Sequence, residues 1–266
     1  MIWDQLIKTI VLGVVQGLTE WLPISSSGHL VVIEHFFGLA TTPLFDVVLH
    51  LGTLAVVILF LRKEVLGILG SLYRLDFHSE YGRLMPLLIL ATIPTGIIGL
   101  IYIKFFEDSL SGILPIGVSF IIGGTVVYFS KFSKETINDV TTRNGLVIGS
   151  AQGLAAFHGL SRMGVTISSA LMLGLKREKA LRFSFLLSIP AILGDLLVET
   201  YKQQGVVSTV GLGWTEMLVG VGVAMVVGYF TLNLISRITL AKRFHYFAFY
   251  TWTLGVIVIV VALLGK

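Results

Sequence analysis

One polar motif interrupts this apolar chain twice, half a chain length apart. Residues 13–30 read G-V-V-Q-G-L-T-E-W-L-P-I-S-S-S-G-H-L, and residues 149–166 read G-S-A-Q-G-L-A-A-F-H-G-L-S-R-M-G-V-T. The two segments align without a gap at an offset of 136. Six residues recur, namely Gly13 as Gly149, Gln16 as Gln152, Gly17 as Gly153, Leu18 as Leu154, Ser25 as Ser161 and Gly28 as Gly164. This spacing indicates an internal duplication, so we predict a single domain over 1–266 with halves at about 1–135 and 136–266.

The rest of the chain has the composition of a membrane protein. Hydrophobic residues make up 55% of it, charged residues 13%, and the mean hydropathy is +0.91, which excludes a soluble globular domain. The chain has no cysteine, so disulfides and thiolate chemistry are excluded as well. Since about 20 helical residues cross a bilayer, six apolar runs predict full transmembrane helices, namely 44–61, 85–103, 113–129, 182–200, 215–235 and 245–264.

Two further regions, 5–39 and 145–175, are too long for one ordinary span, and each contains the repeated motif. Pro23, Gly28 and the serine run between them stop an apolar helix. Broken backbone at membrane depth is tolerated only where it lines an enclosed or watered cavity. We therefore predict an all-α polytopic membrane protein with six full transmembrane helices and two broken or re-entrant helix hairpins.

The distribution of basic residues favours hairpins that return to the side they entered. In that arrangement four loops share one face and carry fourteen of the nineteen Lys and Arg residues, namely 62–84, 130–144, 176–182 and 236–244. A full crossing at each break would leave no bias between the two faces. The positive-inside rule then predicts inverted halves in the cell membrane, with both termini and the opening of the site on the non-cytoplasmic face. The basic loops set this orientation and indicate no nucleic-acid partner.

The two breaks carry side chains that suit phosphate and a divalent cation. Inverted halves would bring two sets of polar residues together, with Glu20, Ser25, Ser26, Ser27 and His29 facing Ser161 and Arg162. A buried arginine needs an anion, which is either Glu20 or a ligand. Guanidinium matches phosphate oxygens bidentately, and N–H groups at half-helix starts extend such a cradle. Glu20 with Gln16 supplies the oxygen ligands that Mg²⁺ or Ca²⁺ prefers.

Several of these residues have two interpretations. His29 either moves a proton beside an activated serine or bonds a carbonyl freed by the break. Ser27 fits a helix cap as well as a substrate contact, and Gln16 fits an interhelical hydrogen bond as well as a metal ligand. Together the motif residues favour metal-assisted phosphoryl transfer.

Two pairs of ionisable residues lie outside the motif. Asp46 and His50 are four residues apart near one end of a predicted span, and Asp195 and Glu199 have the same spacing in another. We interpret the first pair as an interface pair, with support of the site as the alternative. The second pair is interpreted as acids solvated among the headgroups.

The motif also resembles a known family. The segment Q-G-L-T-E-W-L-P-I-S-S-S-G-H, which begins at Gln16, looks like the signature of undecaprenyl-diphosphate phosphatases, also called bacitracin-resistance proteins. Residues 157–164, F-H-G-L-S-R-M-G, resemble the family's second signature, and the similarity runs nearly from end to end. The chain departs from the family at Gln16, where many members have Glu, and at His158 and Met163, where Pro and Ser are usual.

The resemblance implies an integral membrane hydrolase that removes the terminal phosphate of a C55 polyprenyl diphosphate, so that the lipid carrier of cell-wall biogenesis is reused. Carried onto this chain, it implies the catalytic residues Glu20, Ser26, His29 and Arg162, with Ser26 or a water molecule as the attacking group. It implies substrate contacts from Ser25, Ser27, Gly28, Gly159, Ser161 and Gly164. The metal ligands would be Glu20 and Gln16, with Mg²⁺ or Ca²⁺ as the cofactor.

A transporter or flippase of the polyprenyl phosphate is the alternative function. Inverted repeats whose half-helices meet at mid-membrane are also transporter architecture. The set of Glu20, Ser26 and His29 on one side favours the phosphatase, because a carrier does not need it. The sequence allows a homodimer as well as a monomer.

Overall fold

The computed structural model describes residues 2–37, 43–202 and 214–265 of the chain. Throughout these ranges the regular structure is helical, apart from an isolated bridge between Ile137 and Leu175. The predicted all-α class is therefore confirmed.

Twelve α-helices lie in the described ranges and are numbered here in chain order. They are α1 (Ile2–Thr19), α2 (Ser26–Phe37), α3 (Pro43–Phe60), α4 (Arg62–Tyr73), α5 (Leu84–Phe105), α6 (Glu107–Leu110), α7 (Ile113–Phe129), α8 (Thr142–Leu154), α9 (Arg162–Met172), α10 (Arg177–Lys202), α11 (Trp214–Leu240) and α12 (Phe247–Leu263). Short 3₁₀ turns follow α7 at Ser130–Phe132 and precede α12 at Phe244–Tyr246.

The chain is a multi-pass membrane protein. Five helices of its described part, α5, α7, α10, α11 and α12, are long and apolar enough to cross a bilayer. Helix α3 bends by 80° into α4 and adds a sixth crossing only if the pair is one broken span. All six predicted runs coincide with helices, whereas α4 lies in the stretch 62–84 that is predicted as a loop. The count of six full crossings stays a prediction.

The glycines of the first motif bring α1 against α11 of the other half. A Cβ added at Gly13 would lie 2.8 Å from the carbonyl oxygen of Gly220, and one at Gly17 would lie 2.8 Å from that of Ala224. Only glycine permits so close an approach of two backbones. Because both pairs of numbers increase together, α1 and α11 run parallel.

The equivalent glycines of the second motif bring α8 against α5. Gly149 lies against the backbone of Ala91, and a Cβ added at Gly153 would lie 3.1 Å from the carbonyl oxygen of Thr95. The Thr95 hydroxyl donates to the carbonyl oxygen of Gly149 over 2.8 Å. Helices α8 and α5 therefore also run parallel, and each motif helix packs on the opposite half.

Buried aromatic residues fill the interior between the halves, while α5 presents an apolar face outward. Trp21 and Phe183 are fully buried in the largest core cluster, and Trp21 meets Phe185 edge to face at a centroid distance of 6.1 Å. On α5, Ile89 and Ile97 are more than half exposed. An exposed apolar helix face of this kind fits contact with lipid.

Ion pairs join the four basic loops at one end of the helices. Arg177 contacts Glu135 at 2.9 Å, and Lys242 lies 3.9 Å from the same carboxylate. Arg182 donates to Glu80 over 2.7 Å. Each of the four loops contributes to at least one of these pairs, so the basic residues gather on one face of the protein.

We expect Gly149→Ala to lower the free energy of unfolding by about 1–3 kcal/mol, because the added methyl group overlaps the Ala91 backbone. Gly222→Ala on α11 is the matched control, since no atom lies within 4 Å of its added Cβ. Thermal unfolding of both purified variants in the same detergent checks this. Equal melting temperatures for the two variants would contradict the close packing of α8 on α5.

Candidate active site

The two broken hairpins meet in the interior of the protein. The Glu20 carboxylate forms an ion pair with the Arg162 guanidinium. The Ser161 hydroxyl donates to the carbonyl oxygen of Leu22 over 3.2 Å. The prediction that the two breaks lie together is confirmed for these residues, and the role of each side chain in a reaction stays a prediction.

The first break places its polar residues through a left-handed backbone turn. Helix α1 ends at Thr19, and α2 begins at Ser26 after a turn that contains Pro23. Ser25 has a φ of 69°, a conformation that non-glycine residues adopt rarely. Its hydroxyl accepts a hydrogen bond from the Gly28 N–H over 3.3 Å. The residue that caps α2 is therefore Ser25 and not Ser27, because Ser25 precedes the first helical turn.

The second break uses glycine for its turn and serine for its cap. Gly159 has a φ of +96°, and a Cβ there would lie 2.6 Å from the carbonyl oxygen of Ile116. Ser161 caps α9 by accepting from the Gly164 N–H over 3.0 Å. Gly28 and Gly164 thus occupy the same capping position in the two halves. Arg162 follows as the first residue of α9.

The Glu20 carboxylate is the centre of the site, and the side chain is only 1% exposed. One oxygen pairs with Arg162. The other accepts from the Ser26 hydroxyl over 2.7 Å and from the Gln16 amide over 3.1 Å, and His50 Nε2 lies 3.6 Å away. Four side chains therefore converge on one buried acid, which offsets the cost of removing it from water.

A cavity of about 240 Å³ opens beside this carboxylate. The predicted site residues that line it are Glu20, Ser25, Ser26, Ser27, Ser161 and Arg162. Gly28 and Gly159 instead pack against each other, since a Cβ added at Gly28 would lie 2.9 Å from the Gly159 Cα. The glycines of the motif shape the breaks, while the serines and charges face the cavity.

His29 points to a different part of the structure. Its Nδ1 lies 2.7 Å from the carbonyl oxygen of Ser25, to which it donates, and its Nε2 lies 2.8 Å from the Tyr250 hydroxyl. Its ring also meets Phe120 edge to face at 5.4 Å. Both ring nitrogens are therefore engaged outside the Glu20 cluster, and a role for His29 in proton transfer stays a prediction.

Two residues outside the motif, His50 and Asp195, also lie at the site. His50 lies beside Glu20 and donates from Nδ1 to the carbonyl oxygen of Asp46 over 2.7 Å. Asp195, interpreted as solvated at the headgroups, is exposed and lines the cavity together with Glu199. The one available signal was the spacing of four residues between ionisable groups in apolar spans, which places both members on one helix face.

The rim of the cavity carries an ion pair and a hydrogen bond. Lys202 at the end of α10 donates to Glu107 at the start of α6 over 2.7 Å. His158, which stands where the family usually has proline, lies 3.2 Å from the Tyr102 hydroxyl. The first contact joins α10 to α6, and the second joins the second break to α5.

Glu20 and Gln16 are the predicted ligands of a divalent cation, and of the two only Glu20 lines the cavity. Gln16 Oε1 is buried and has no hydrogen-bond partner among the described residues, while the amide nitrogen of the same side chain donates to the Glu20 carboxylate over 3.1 Å. No group of three or more His, Cys, Asp or Glu side chains in the described ranges is arranged to hold a metal ion. Mg²⁺ can keep few protein ligands and bind substrate phosphates and water, so the oxygen chemistry of these two side chains suits it, and metal binding stays a prediction.

The fold and its centre define a class of protein, namely a multi-pass membrane protein with a buried acid–guanidinium site built from two broken helices. A family model described as bacitracin resistance protein BacA matches residues 9–257. The chain belongs to the bacitracin resistance protein BacA family.

Similar proteins cover nearly the whole chain. A protein of Carboxydothermus hydrogenoformans named undecaprenyl-diphosphatase is 39% identical over 265 residues, which is 97% of this chain and 98% of that protein. One with the same name from Methanosphaera stadtmanae is 34% identical, with the same two coverages. Undecaprenyl-diphosphatase 3 of Bacillus cereus is 36% identical over 95% of this chain and 96% of its own length.

We expect Arg162→Gln to lower the free energy of unfolding by about 3–5 kcal/mol, because it leaves the Glu20 carboxylate buried and uncompensated. Glu20→Gln should cost less, since the Arg162 side chain is 15% exposed and that of Glu20 only 1%. In the double variant the two losses should not add. Unfolding of all four proteins by denaturing detergent measures these differences, and additive losses would show that the pair contributes no coupling.

Proposed function

We propose that this protein is a membrane phosphatase that hydrolyses a polyprenyl diphosphate of the undecaprenyl type to the monophosphate and inorganic phosphate. The observation that carries the proposal is the position of Arg162 at the start of α9, opposite a serine hydroxyl that is hydrogen-bonded to Glu20. The names of the relatives, each an undecaprenyl-diphosphatase, support the same reaction and substrate class.

Two helix starts and a guanidinium form the phosphate cradle in this proposal. Helices α2 and α9 both begin at the cavity, and N–H groups at a helix start favour an anion. Arg162 adds a positive charge at the start of α9, where a cation is unfavourable unless an anion is near. Ser27 and Ser161 line the same cavity. The isoprenoid tail would leave the cavity sideways into the lipid.

Ser26 and Glu20 are arranged for the first chemical step. The Ser26 oxygen attacks the terminal phosphorus, and its proton passes to the Glu20 oxygen that already accepts it over 2.7 Å. The new P–O bond forms as the anhydride P–O bond breaks, and the polyprenyl monophosphate leaves with the bond electrons. Water then hydrolyses the phosphoserine. In the alternative mechanism, water held by Glu20 attacks the phosphorus directly.

Arg162 stabilises the charge that grows on the phosphoryl oxygens in either mechanism. Its Nη1 also donates to the carbonyl oxygen of Ser188 over 3.4 Å, which fixes the guanidinium from the α10 side. When bound by Glu20 and Gln16, a divalent cation would neutralise part of the diphosphate charge. His50 is the histidine closest to the acid in the described ranges, and His29 with Tyr250 holds the start of α2.

We further propose that the halves are inverted-topology repeats and that the cavity opens on the non-cytoplasmic face. Helix α1 runs parallel to α11 and α8 runs parallel to α5, which supports entry of the two hairpins from opposite faces. The basic loops gather at the end of the protein away from the cavity mouth, and the positive-inside rule assigns that end to the cytoplasm. Both chain termini would then lie outside.

A flippase has less support than a phosphatase. The inverted arrangement alone suits both classes. A carrier needs a site that binds and releases its lipid, but it does not need a serine hydroxyl directed at a buried acid. The Ser26–Glu20 hydrogen bond therefore favours the hydrolase.

We expect the purified protein to release phosphate from farnesyl or undecaprenyl diphosphate, and Arg162→Lys to reduce kcat by about a hundredfold. Ser26→Ala should abolish turnover if serine is the nucleophile and should leave a measurable rate if water attacks. Ser236→Ala is a matched control, because that hydroxyl only donates to the Leu232 carbonyl on α11. No hydrolysis by the wild type, or full activity of Arg162→Lys, would refute the proposal.

A chelator should lower the rate at least about tenfold, and added Mg²⁺ or Ca²⁺ should restore it, because the site supplies few protein ligands and holds the ion weakly. Binding of Mn²⁺, followed by its paramagnetic resonance signal, gives a readout besides activity and should be weakened in Glu20→Gln. Unchanged activity in chelator with no bound Mn²⁺ would remove the metal from the mechanism and leave Arg162 as the main stabilising charge.

A further inference from the structure

A second polar cavity lies at the end of the protein opposite the active-site cavity. It has a volume of about 630 Å³ and is called the basic pocket here; it is lined by Ser130, Lys131, Ser133, Lys134, Glu135, Lys176, Arg177, Lys242 and His245. Helix α10 connects the two sites, since it begins at Arg177 in the basic pocket and carries Asp195 in the other cavity. At 1.5 Å per residue these positions are about 27 Å apart, close to the thickness of the hydrocarbon core.

The basic pocket concentrates positive charge from three separate loops. Five Lys and Arg side chains line it against the single carboxylate of Glu135. Arg177 is buried at the base, where it contacts Glu135 at 2.9 Å and donates to the carbonyl oxygen of Thr239 over 3.4 Å. Lys242 lies 3.9 Å from the same carboxylate. One acid cannot neutralise five cations, so the pocket has an excess of positive charge that suits an anionic ligand.

One local feature of the basic pocket suits an oxyanion in particular. The Ser133 hydroxyl is buried and has no hydrogen-bond partner among the described residues, although it lines the pocket and can donate to an anion. Lys242 has a φ of 61° after the end of α11, a position that favours glycine. The left-handed turn there turns the chain back beside Glu135. The positive-inside rule accounts for the number of basic residues on this face, but not for their convergence around an unpartnered hydroxyl.

Exposed aromatic rings lie next to the basic pocket. The Lys131 ammonium sits 5.7 Å from the centroid of Tyr128 and 6.0 Å from that of Phe132. Tyr128 in turn contacts Phe249 at 6.1 Å, and Phe132 and Phe249 are both more than half exposed. Tyrosine is enriched at the headgroup level of a bilayer, and the two exposed phenylalanines extend an apolar surface from Tyr128. A ligand here would therefore have an apolar part as well as an anionic one.

We propose that the basic pocket binds the phosphate of an anionic phospholipid, with the lipid's acyl chains lying along the Tyr128–Phe132–Phe249 surface. Basic pockets at the ends of transmembrane helices suit such headgroups. The site holds a lipid of the leaflet opposite the active-site opening. The proposal does not depend on the phosphatase activity, because it concerns a cavity that shares none of its lining residues with the active site.

Lipid retained by the detergent-purified protein tests the proposal by native mass spectrometry after incubation with phosphatidylglycerol, phosphatidylcholine or inorganic phosphate. We expect one phosphatidylglycerol per chain, held in clear preference to phosphatidylcholine. The triple variant Lys131→Gln/Lys134→Gln/Lys242→Gln should weaken its binding about a hundredfold. The control Lys63→Gln/Arg74→Gln/Arg143→Gln removes the same charge from exposed positions on the same face and should bind as the wild type does.

Three results would overturn the proposal. Equal weakening in both triple variants would mean that the general positive field of the face holds the lipid. No preference for phosphatidylglycerol in the wild type would mean that no headgroup site exists. Complete competition by millimolar inorganic phosphate would assign the pocket to free phosphate. Ser133→Ala keeps every charge and the fold, and it should weaken phosphatidylglycerol binding by a few-fold, because only one hydrogen bond is lost.

Discussion

The Glu20–Arg162 ion pair is the interaction on which the rest of the structure depends. A carboxylate with almost no exposed surface inside an apolar protein is stable only if its charge and its lone pairs are satisfied. Arg162 supplies the charge, and Ser26 and Gln16 supply hydrogen bonds. Gln16 comes from the end of α1, but Glu20, Ser26 and Arg162 all lie where the backbone leaves or starts a helix. The two breaks, their capping serines and their glycines follow from that requirement.

Both copies of the duplicated motif keep the glycines that allow close helix packing, but the two copies carry different functional side chains. Gly13 and Gly17 allow α1 to approach α11, and Gly149 and Gly153 allow α8 to approach α5. The polar positions differ, since Ser26 of the first copy corresponds to Arg162 of the second. Two similar broken hairpins thereby place different groups, the Ser26 hydroxyl and the Arg162 guanidinium, at one cavity. A phosphoryl-transfer site needs this asymmetry, because a nucleophile and a charge-stabilising cation have different tasks.

The all-α class and the meeting of the two breaks could be predicted from sequence because they depend on local signals. Hydropathy marks the helices, and the repeat of the motif marks the breaks. The direction of a side chain depends instead on distant packing. His29 is turned towards Tyr250, 221 residues later in the chain, and its motif position gives no sign of this. His50 reaches Glu20 because α3 lies next to α1, and no local pattern records that contact.

The errors at α4 and at the serines have local causes. Helix α4 is short and begins with charged residues, so a search for runs of bilayer length passes over it. Three consecutive serines offer three candidates for one cap. Only the left-handed φ of Ser25 selects the residue whose hydroxyl reaches Gly28, and backbone angles of this kind are not visible in the order of the residues.

The separation of Glu20 and Arg162 along the chain has a consequence for biogenesis. The two residues are 142 positions apart. At a translation speed of about 5–20 residues per second, Arg162 is therefore synthesised on the order of ten seconds after Glu20. During that interval the first hairpin cannot settle at its final depth without burying an unneutralised group. The first hairpin is therefore inserted incompletely, with the acid protonated or in contact with water. Insertion is completed once the second hairpin is translated and Arg162 pairs with Glu20.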